Sequence, residues 1–179
     1  MTAPEKKIAM HEELLNTIKE RRSVRRYTQE PVSLDDLKLL VEAAQWAPSG
    51  GNLQPWKFVI VTSKKMLEAI KMMSPGIIRD LPPALIALCH DEKRMVGGRE
   101  TQLIDMGAAM QNILLMAHAL EFGACPIASF DSESVAELMD LPSHVKPVLL
   151  ICVGKPVDNP KPPPKLSMEE LVVKIFKET

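Results

Sequence analysis

Four guanidiniums fall within six residues, at Arg21, Arg22, Arg25 and Arg26, with a hydroxyl among them at Ser23. Val24 and Tyr27 interleave the run and could pin it to a core. A guanidinium offers a planar fork of N–H donors, so several of them beside a serine could hold a phosphomonoester carrying about two negative charges. The same run is also what a solvated basic helix end looks like, stabilised by the helix dipole. In helical spacing Arg21 would share a face with Arg25, and Arg22 with Arg26.

The stretch Pro48-Ser49-Gly50-Gly51-Asn52-Leu53-Gln54-Pro55-Trp56 sets two glycines between hydrogen-bonding side chains. Glycines let backbone approach a ligand closely, and Ser49, Asn52 and Gln54 offer polar atoms to the rim of a flat heterocycle. An ordinary turn-rich connection has a similar composition.

No other pattern supplies a nucleophile or an acid–base pair. G-x-S-x-G, G-x-G-x-x-G and G-x-x-x-x-G-K-[ST] do not occur. His11, His90, His118 and His144 are scattered without ligand spacing, so no metal site is assigned. Cys89, Cys125 and Cys152 lie far apart in apolar runs, as buried free thiols in a reducing cytoplasm would. A phosphate anchor and a planar-ligand loop with no catalytic side chain imply a bound cofactor that carries the chemistry.

These groups need a scaffold, and 179 residues are enough for one domain that buries about 70% of its unfolded surface. A net charge of −1 argues against general attraction to nucleic acid or to an anionic membrane. Met1 to Lys7 is polar, which argues against a secretory leader and for a cytoplasmic protein.

The organising element is the stretch Thr101 to Phe122, apolar around its whole circumference at helical spacing and therefore expected in the core. Its polar residues fall on two lines, Asp105 with Asn112 and Gln111 with His118, where backbone or ligand must supply hydrogen bonds; Gly107 would permit close approach on the second. A helix buried all round in so short a chain suggests a second copy covering part of it.

Leu14, Leu15 and Ile18 give a first helix from about His11 into the arginines, and Leu34, Leu37, Leu40, Val41 and Ala44 a second, capped by Ser33 with Asp36. Ser63 could cap a third, Asp131 or Ser132 a fourth. Strands are expected at Phe58–Val61, Ala84–Cys89, Ala124–Phe130 and Val148–Val153, and Asp91–Glu100 as a surface loop able to act as a lid. Helices alternating with apolar strands predict a three-layer α/β or α+β sandwich in residues 1–154.

Residues 155–179 change character. Pro156, Pro160, Pro162, Pro163 and Pro164 predict an extended arm of about 3.1 Å per residue, able to reach roughly 30 Å in ten residues. A helix over Ser167–Phe176 would tip it with an apolar face, as in a dimer that exchanges arms.

Taken in order, RRSVRRY, APSGGNLQPW, DMGAAMQNILLMAHALEFGA, PIASF and KPPPK resemble the flavin-dependent nitroreductase family over nearly the whole chain. The resemblance implies an α+β, three-layer sandwich with a mixed sheet of four to five strands flanked by helices. It implies a homodimer with FMN bound between subunits, the long helix at the interface and the C-terminal arm exchanged. The implied activity is ping-pong hydride transfer from NADH or NADPH to an electron-poor small molecule such as a nitroaromatic, a quinone or a flavin. Other flavin chemistry on the same fold, dehalogenation or flavin fragmentation, and flavin binding without turnover are the alternatives.

By the same resemblance Arg21, Arg22 and Ser23 hold the FMN phosphate and ribityl chain, and Arg25 reaches the pyrimidine side of the ring. Pro48, Ser49, Gly50 and Asn52 contact the flavin from the other subunit. Pro126, Ile127, Ala128 and Ser129 pass along the edge bearing N5, and Lys165, or Lys161 as second choice, closes the phosphate site. The chain departs from the family where Ala128-Ser129 replaces a frequent Glu-Gly pair, and where the span between Ala87 and Thr101 is short. The acceptor side is thus open or covered by Lys93 to Arg99.

Overall fold

Every residue of the strand Ala84–Asp91 (β2) is buried, and its side chains alternate between two separate cores. Ala84, Ile86 and Leu88 point into one, Leu85, Ala87 and Cys89 into the other. This alternation makes the molecule three layers deep. The chain is seen in a computed structural model that describes residues 3–77, 79–94 and 97–177.

The elements run α1 (Ala3–Glu20), α2 (Leu34–Gln45), β1 (Trp56–Val61), α3 (Lys64–Met72), β2, α4 (Arg99–Ala119), β3 (Gly123–Ile127), α5 (Ser132–Leu138), β4 (Val145–Gly154) and α6 (Met168–Leu171). The sheet order is β1-β2-β4-β3. All three pairings are antiparallel, which corrects the expected mixed sheet. Among the described residues, parallel character is confined to one isolated bridge between Ser23 and Ala124.

On one face, Leu37, Leu40 and Ala44 of α2 pack with Met106, Ala109, Ile113 and Ala117 of α4. Each fully buried leucine there contributes roughly 1.5–3 kcal/mol. On the other face Leu67 and Ile70 of α3 and Val135 of α5 close over Leu150 and Cys152. The expected caps hold at Ser33, whose Oγ accepts from Asp36 N at 3.0 Å, and at Asp131, which accepts from Glu133 N and Ser134 N. Ser63 makes no side-chain cap.

Several boundaries differ from expectation. The helix before the arginines begins at Ala3, well ahead of His11. The segment expected as a lid extends β2 to Asp91, makes a 3-10 turn at Glu92–Arg94 and enters α4 at Arg99; Met95 and Val96, in its middle, lie outside the described residues. The third strand ends at Ile127, short of Phe130. Among the described residues of the tail only Met168–Leu171 is helical, because the capping box of Ser167 and Glu170 starts a helix with no core to cover. Leu103 and Ile104 near the start of α4 are 50% and 71% exposed, so the helix is not enclosed by its own chain. Nothing lies within 4 Å of where a side chain at Gly107 would begin, so no close approach forms there in the single chain.

Candidate functional site

α1 stops at Glu20 and the chain becomes extended, so the helical pairing of Arg21 with Arg25 and of Arg22 with Arg26 does not form. Val24 and Tyr27 are buried and do anchor the run. Val24 N donates to Ala124 O at 3.1 Å, laying the segment beside β3, and the Tyr27 hydroxyl donates back to Val24 O.

The start of the proline arm is fastened to the same segment. Thr28 N donates to Lys155 O, Val157 N to Arg26 O, and Tyr27 forms an antiparallel bridge with Pro156. Arg26 pairs with Asp158 at 2.9 Å and Lys155 with Glu30 at 2.6 Å. Arg26 is thereby committed to the arm, and the arm is steered across the other arginines.

The result is a cleft of about 880 Å³ lined by Arg21, Arg22, Ser23, Arg25, Gln111, Lys161 and Lys165. Counting Lys19, six basic residues border it against a single carboxylate, Glu20. Its volume falls in the range of roughly 300–1,000 Å³ usual for small-molecule clefts. Arg21 Nε is buried with no hydrogen-bond partner, an arrangement that costs about 1–3 kcal/mol unless an acceptor arrives. A phosphate among these donors would supply that acceptor. The Gln111–His118 line of α4 looks the same way: Gln111 lines the cleft, and His118 lines an adjoining recess with Arg21 and Arg22.

The glycine loop does not reach this cleft within one chain. Pro48 and Asn52 are exposed, and Asn52 lines a separate recess with Gln45, Trp46, Ala47 and Gln54. The loop is nonetheless held in one shape. Gly50 N donates to both carboxylate oxygens of Asp105, Gln54 N to Ser49 Oγ, and the Arg94 guanidinium to Leu53 O. Gly51, Asn52 and Gln54 all have positive φ, at 58°, 55° and 51°; for a non-glycine residue that costs of order 1–3 kcal/mol and persists only where surroundings enforce it.

The segment after β3 lines neither the cleft nor the recess of the glycine loop in the single chain. Ile127 is buried and shares a small cavity with Arg25, while Pro126 is half-buried and Ala128 and Ser129 are exposed. Ser129 O accepts from Gly76 N and from Ser74 Oγ, both at 3.2 Å. Nothing local to Ser74-Pro75-Gly76 signals this clasp, because Ser129 lies 55 positions from Ser74.

The sequence-expected residues thus gather into one basic cleft, one glycine loop and one post-strand segment. Among the described residues no cluster of ligating side chains could hold a metal ion, and no helix is long and apolar enough to cross a membrane.

The family model described as the nitroreductase family matches residues 18–92 and 76–155. A Methanothermobacter thermautotrophicus protein described as an NADH dehydrogenase/NAD(P)H nitroreductase is 34% identical, with 83% of this chain and 80% of the relative covered. An NAD(P)H-dependent FMN reductase of Bacillus subtilis is 30% identical over 88% of this chain and 71% of its own. A crystal structure from Desulfovibrio desulfuricans, described as a nitroreductase in complex with FMN, superposes with a TM-score of 0.80 at 30% identity, covering 92% of this chain and 97% of that one.

Proposed function

The chain belongs to the nitroreductase family, and from that premise we propose that it works as a cytoplasmic homodimer whose FMN sites are each assembled from both subunits. It is an FMN-dependent NAD(P)H oxidoreductase. When bound, FMN supplies the carrier chemistry, taking hydride from NADH or NADPH in one half-reaction and passing it to an electron-poor nitroaromatic, quinone or flavin in the next.

The cleft where Arg21, Arg22, Ser23 and Arg25 meet Lys161 and Lys165 carries the reading. Arg21, Arg22 and Ser23 would bind the phosphate and ribityl chain, with Lys165 or Lys161 closing over them. Arg25 would stand on the pyrimidine side, where a fixed positive charge in a dry site favours an anionic ring. Pro126, Ile127, Ala128 and Ser129 would border the N5 edge through their backbone. Pro48, Ser49, Gly50 and Asn52 would be contributed across the dimer, which accounts for a well-fixed loop that lies off the cleft of its own chain.

The apolar surface supports the dimer. Leu14, Leu15 and Ile18 of α1, Leu103 and Ile104 of α4, and Leu171, Ile175 and Phe176 of the arm are all exposed in the single chain, more than an isolated soluble subunit usually leaves open. Burial of these side chains by a second copy would also fix the arm, residues 155–179, on its partner.

Anaerobic titration of the purified yellow protein with NADH and with NADPH tests the reading. One of the two should bleach the flavin absorption, and an added quinone should restore it. A yellow protein that neither nucleotide bleaches would rule the proposed activity out.

A further inference from the structure

Cys125 of β3 and Cys152 of β4 are direct partners in the antiparallel register. Both are free and buried, and both belong to the same core on one face of the sheet. The third thiol, Cys89, faces Pro147 in its own pairing and has no cysteine opposite.

The type of pair follows from the neighbours. Ala124 O is directed away from β4, since it accepts from Val24 N on the outer edge of β3. Pro126 has no N–H to give and occupies the equivalent outward position two residues on. Cys125 between them therefore points its backbone groups at β4 and forms a hydrogen-bonded pair with Cys152. In such pairs the Cα atoms lie about 5.5 Å apart, inside the range of roughly 4.4–6.8 Å that a disulfide spans. The Cβ atoms of facing residues stand about 4.5–5.5 Å apart, at or beyond the roughly 3.5–4.5 Å a relaxed disulfide uses. A bond could close here, under strain, and a strained disulfide is readily reduced.

Both thiols line a cavity of about 10 Å³ shared with Arg25, Tyr27, Arg79 and Asp80. That is about the room of one water molecule, so the two sulfurs border a small void rather than a completely filled core. Burial raises both thiols, Cys152 to about 12, while Arg25 and Arg21 pull Cys125 back down. Cys125 is thus the better nucleophile of the two.

We propose that Cys125 and Cys152 form a hydroperoxide-responsive dithiol that closes reversibly to an intrachain disulfide across β3 and β4. Cys125 Sγ attacks the peroxide O–O bond, giving a sulfenic acid and one water in the case of hydrogen peroxide. Cys152 Sγ then attacks Cys125 Sγ, the S–O bond breaks, and the departing hydroxide takes the Cys152 proton as a second water. The two thiols lose two electrons and the peroxide gains them. The bond would lock the edge strand one residue before Pro126, where the chain enters the segment bordering the proposed flavin site.

The test is a peptide map of the native, fully reduced protein after hydrogen peroxide treatment, with remaining thiols alkylated under denaturing conditions and no reductant present. The expected result is loss of two hydrogens from the chain, a Cys125–Cys152 cross-link, alkylated Cys89 and return of all three thiols on incubation with glutathione. Unreacted thiols, oxygen added at Cys125 or Cys152 without a cross-link, or a bond through Cys89 or between chains would each overturn the proposal. A Cys152→Ala variant should trap the Cys125 sulfenic acid for capture by dimedone; capture at Cys89 instead would also overturn it. The wild-type map decides the matter if that variant fails to fold.

Discussion

The Asp105 carboxylate receives the Gly50 backbone N–H on both of its oxygens, at 3.1 and 3.3 Å, across 55 residues of sequence. Asp105 is almost fully buried, so this charge-assisted contact ties the first half of α4 to the glycine loop where water competes little. One turn pair further along the same line, Asn112 Nδ2 donates to Ala43 O at the end of α2. The α4 line of polar residues is thus the spine that sets the height of α2 and of the loop after it. Asp105→Ala should lower the free energy of urea unfolding by roughly 1.5–3 kcal/mol, and Asp105→Asn, which keeps an acceptor oxygen, by less. Equal losses for the two would show that the acceptor is not what matters.

Gly123 opens β3 where the arginine segment crosses it. A methyl group there would come within 2.6–2.9 Å of three Val24 side-chain atoms, so Gly123→Ala must push Val24 and its neighbours Arg21 to Arg25 off the strand. Overpacking of this kind costs typically about 1–3 kcal/mol. Lower thermal stability together with weaker FMN retention is the expected outcome, read by calorimetry and by flavin absorbance. Unchanged flavin content in a destabilised protein would separate the arginine segment from the site.

His90, in β2 opposite Trp56, is buried with neither ring nitrogen hydrogen-bonded. Burial lowers its pKa, against the opposing pull of Glu92, Asp91 and Asp105. The folded chain therefore binds fewer protons here than the unfolded chain once pH falls below about 6.5, and stability declines with falling pH. Urea midpoints should drop between about pH 7.5 and about pH 5.5, and His90→Phe should lessen that drop while leaving the fold intact at neutral pH. An undiminished drop in the variant would place the pH dependence elsewhere.

How much of this was legible in the sequence depended on whether the cause was local. The Ser33 and Asp131 caps, the buried apolar strand at Ala84–Cys89 and the end of β4 at Gly154, just before the proline-rich run, are near-neighbour effects, and they are where expected. The polar lines on α4 announced that partners must exist for Asp105 and Asn112, without naming Gly50 or Ala43. What failed was set by distant packing. Arg21 to Tyr27 carry helical propensity enough, yet pairing of Ser23 and Val24 with Ala124 pulls them straight. Ser167 and Glu170 make their capping box, but Ile175 and Phe176 find no surface in their own chain and the helix ends at Leu171. The convergence of Lys161 and Lys165 on Arg21 arises from Lys155 and Asp158 gripping Glu30 and Arg26, contacts between chain segments that no spacing rule connects.

The most direct measurement is a fluorescence titration of the flavin-free protein with FMN and with riboflavin, which differ only in the phosphate. If guanidiniums, Ser23 and the arm lysines hold that phosphate, two charge-assisted contacts alone give roughly 3 kcal/mol, and FMN should bind at least about 100-fold more tightly. The preference should be largely lost in Arg21→Ala combined with Arg22→Ala while the native mass in solution stays unchanged. Equal affinity of the wild-type protein for the two flavins, or a preference for FMN that survives loss of both arginines, would contradict the assignment of this cleft.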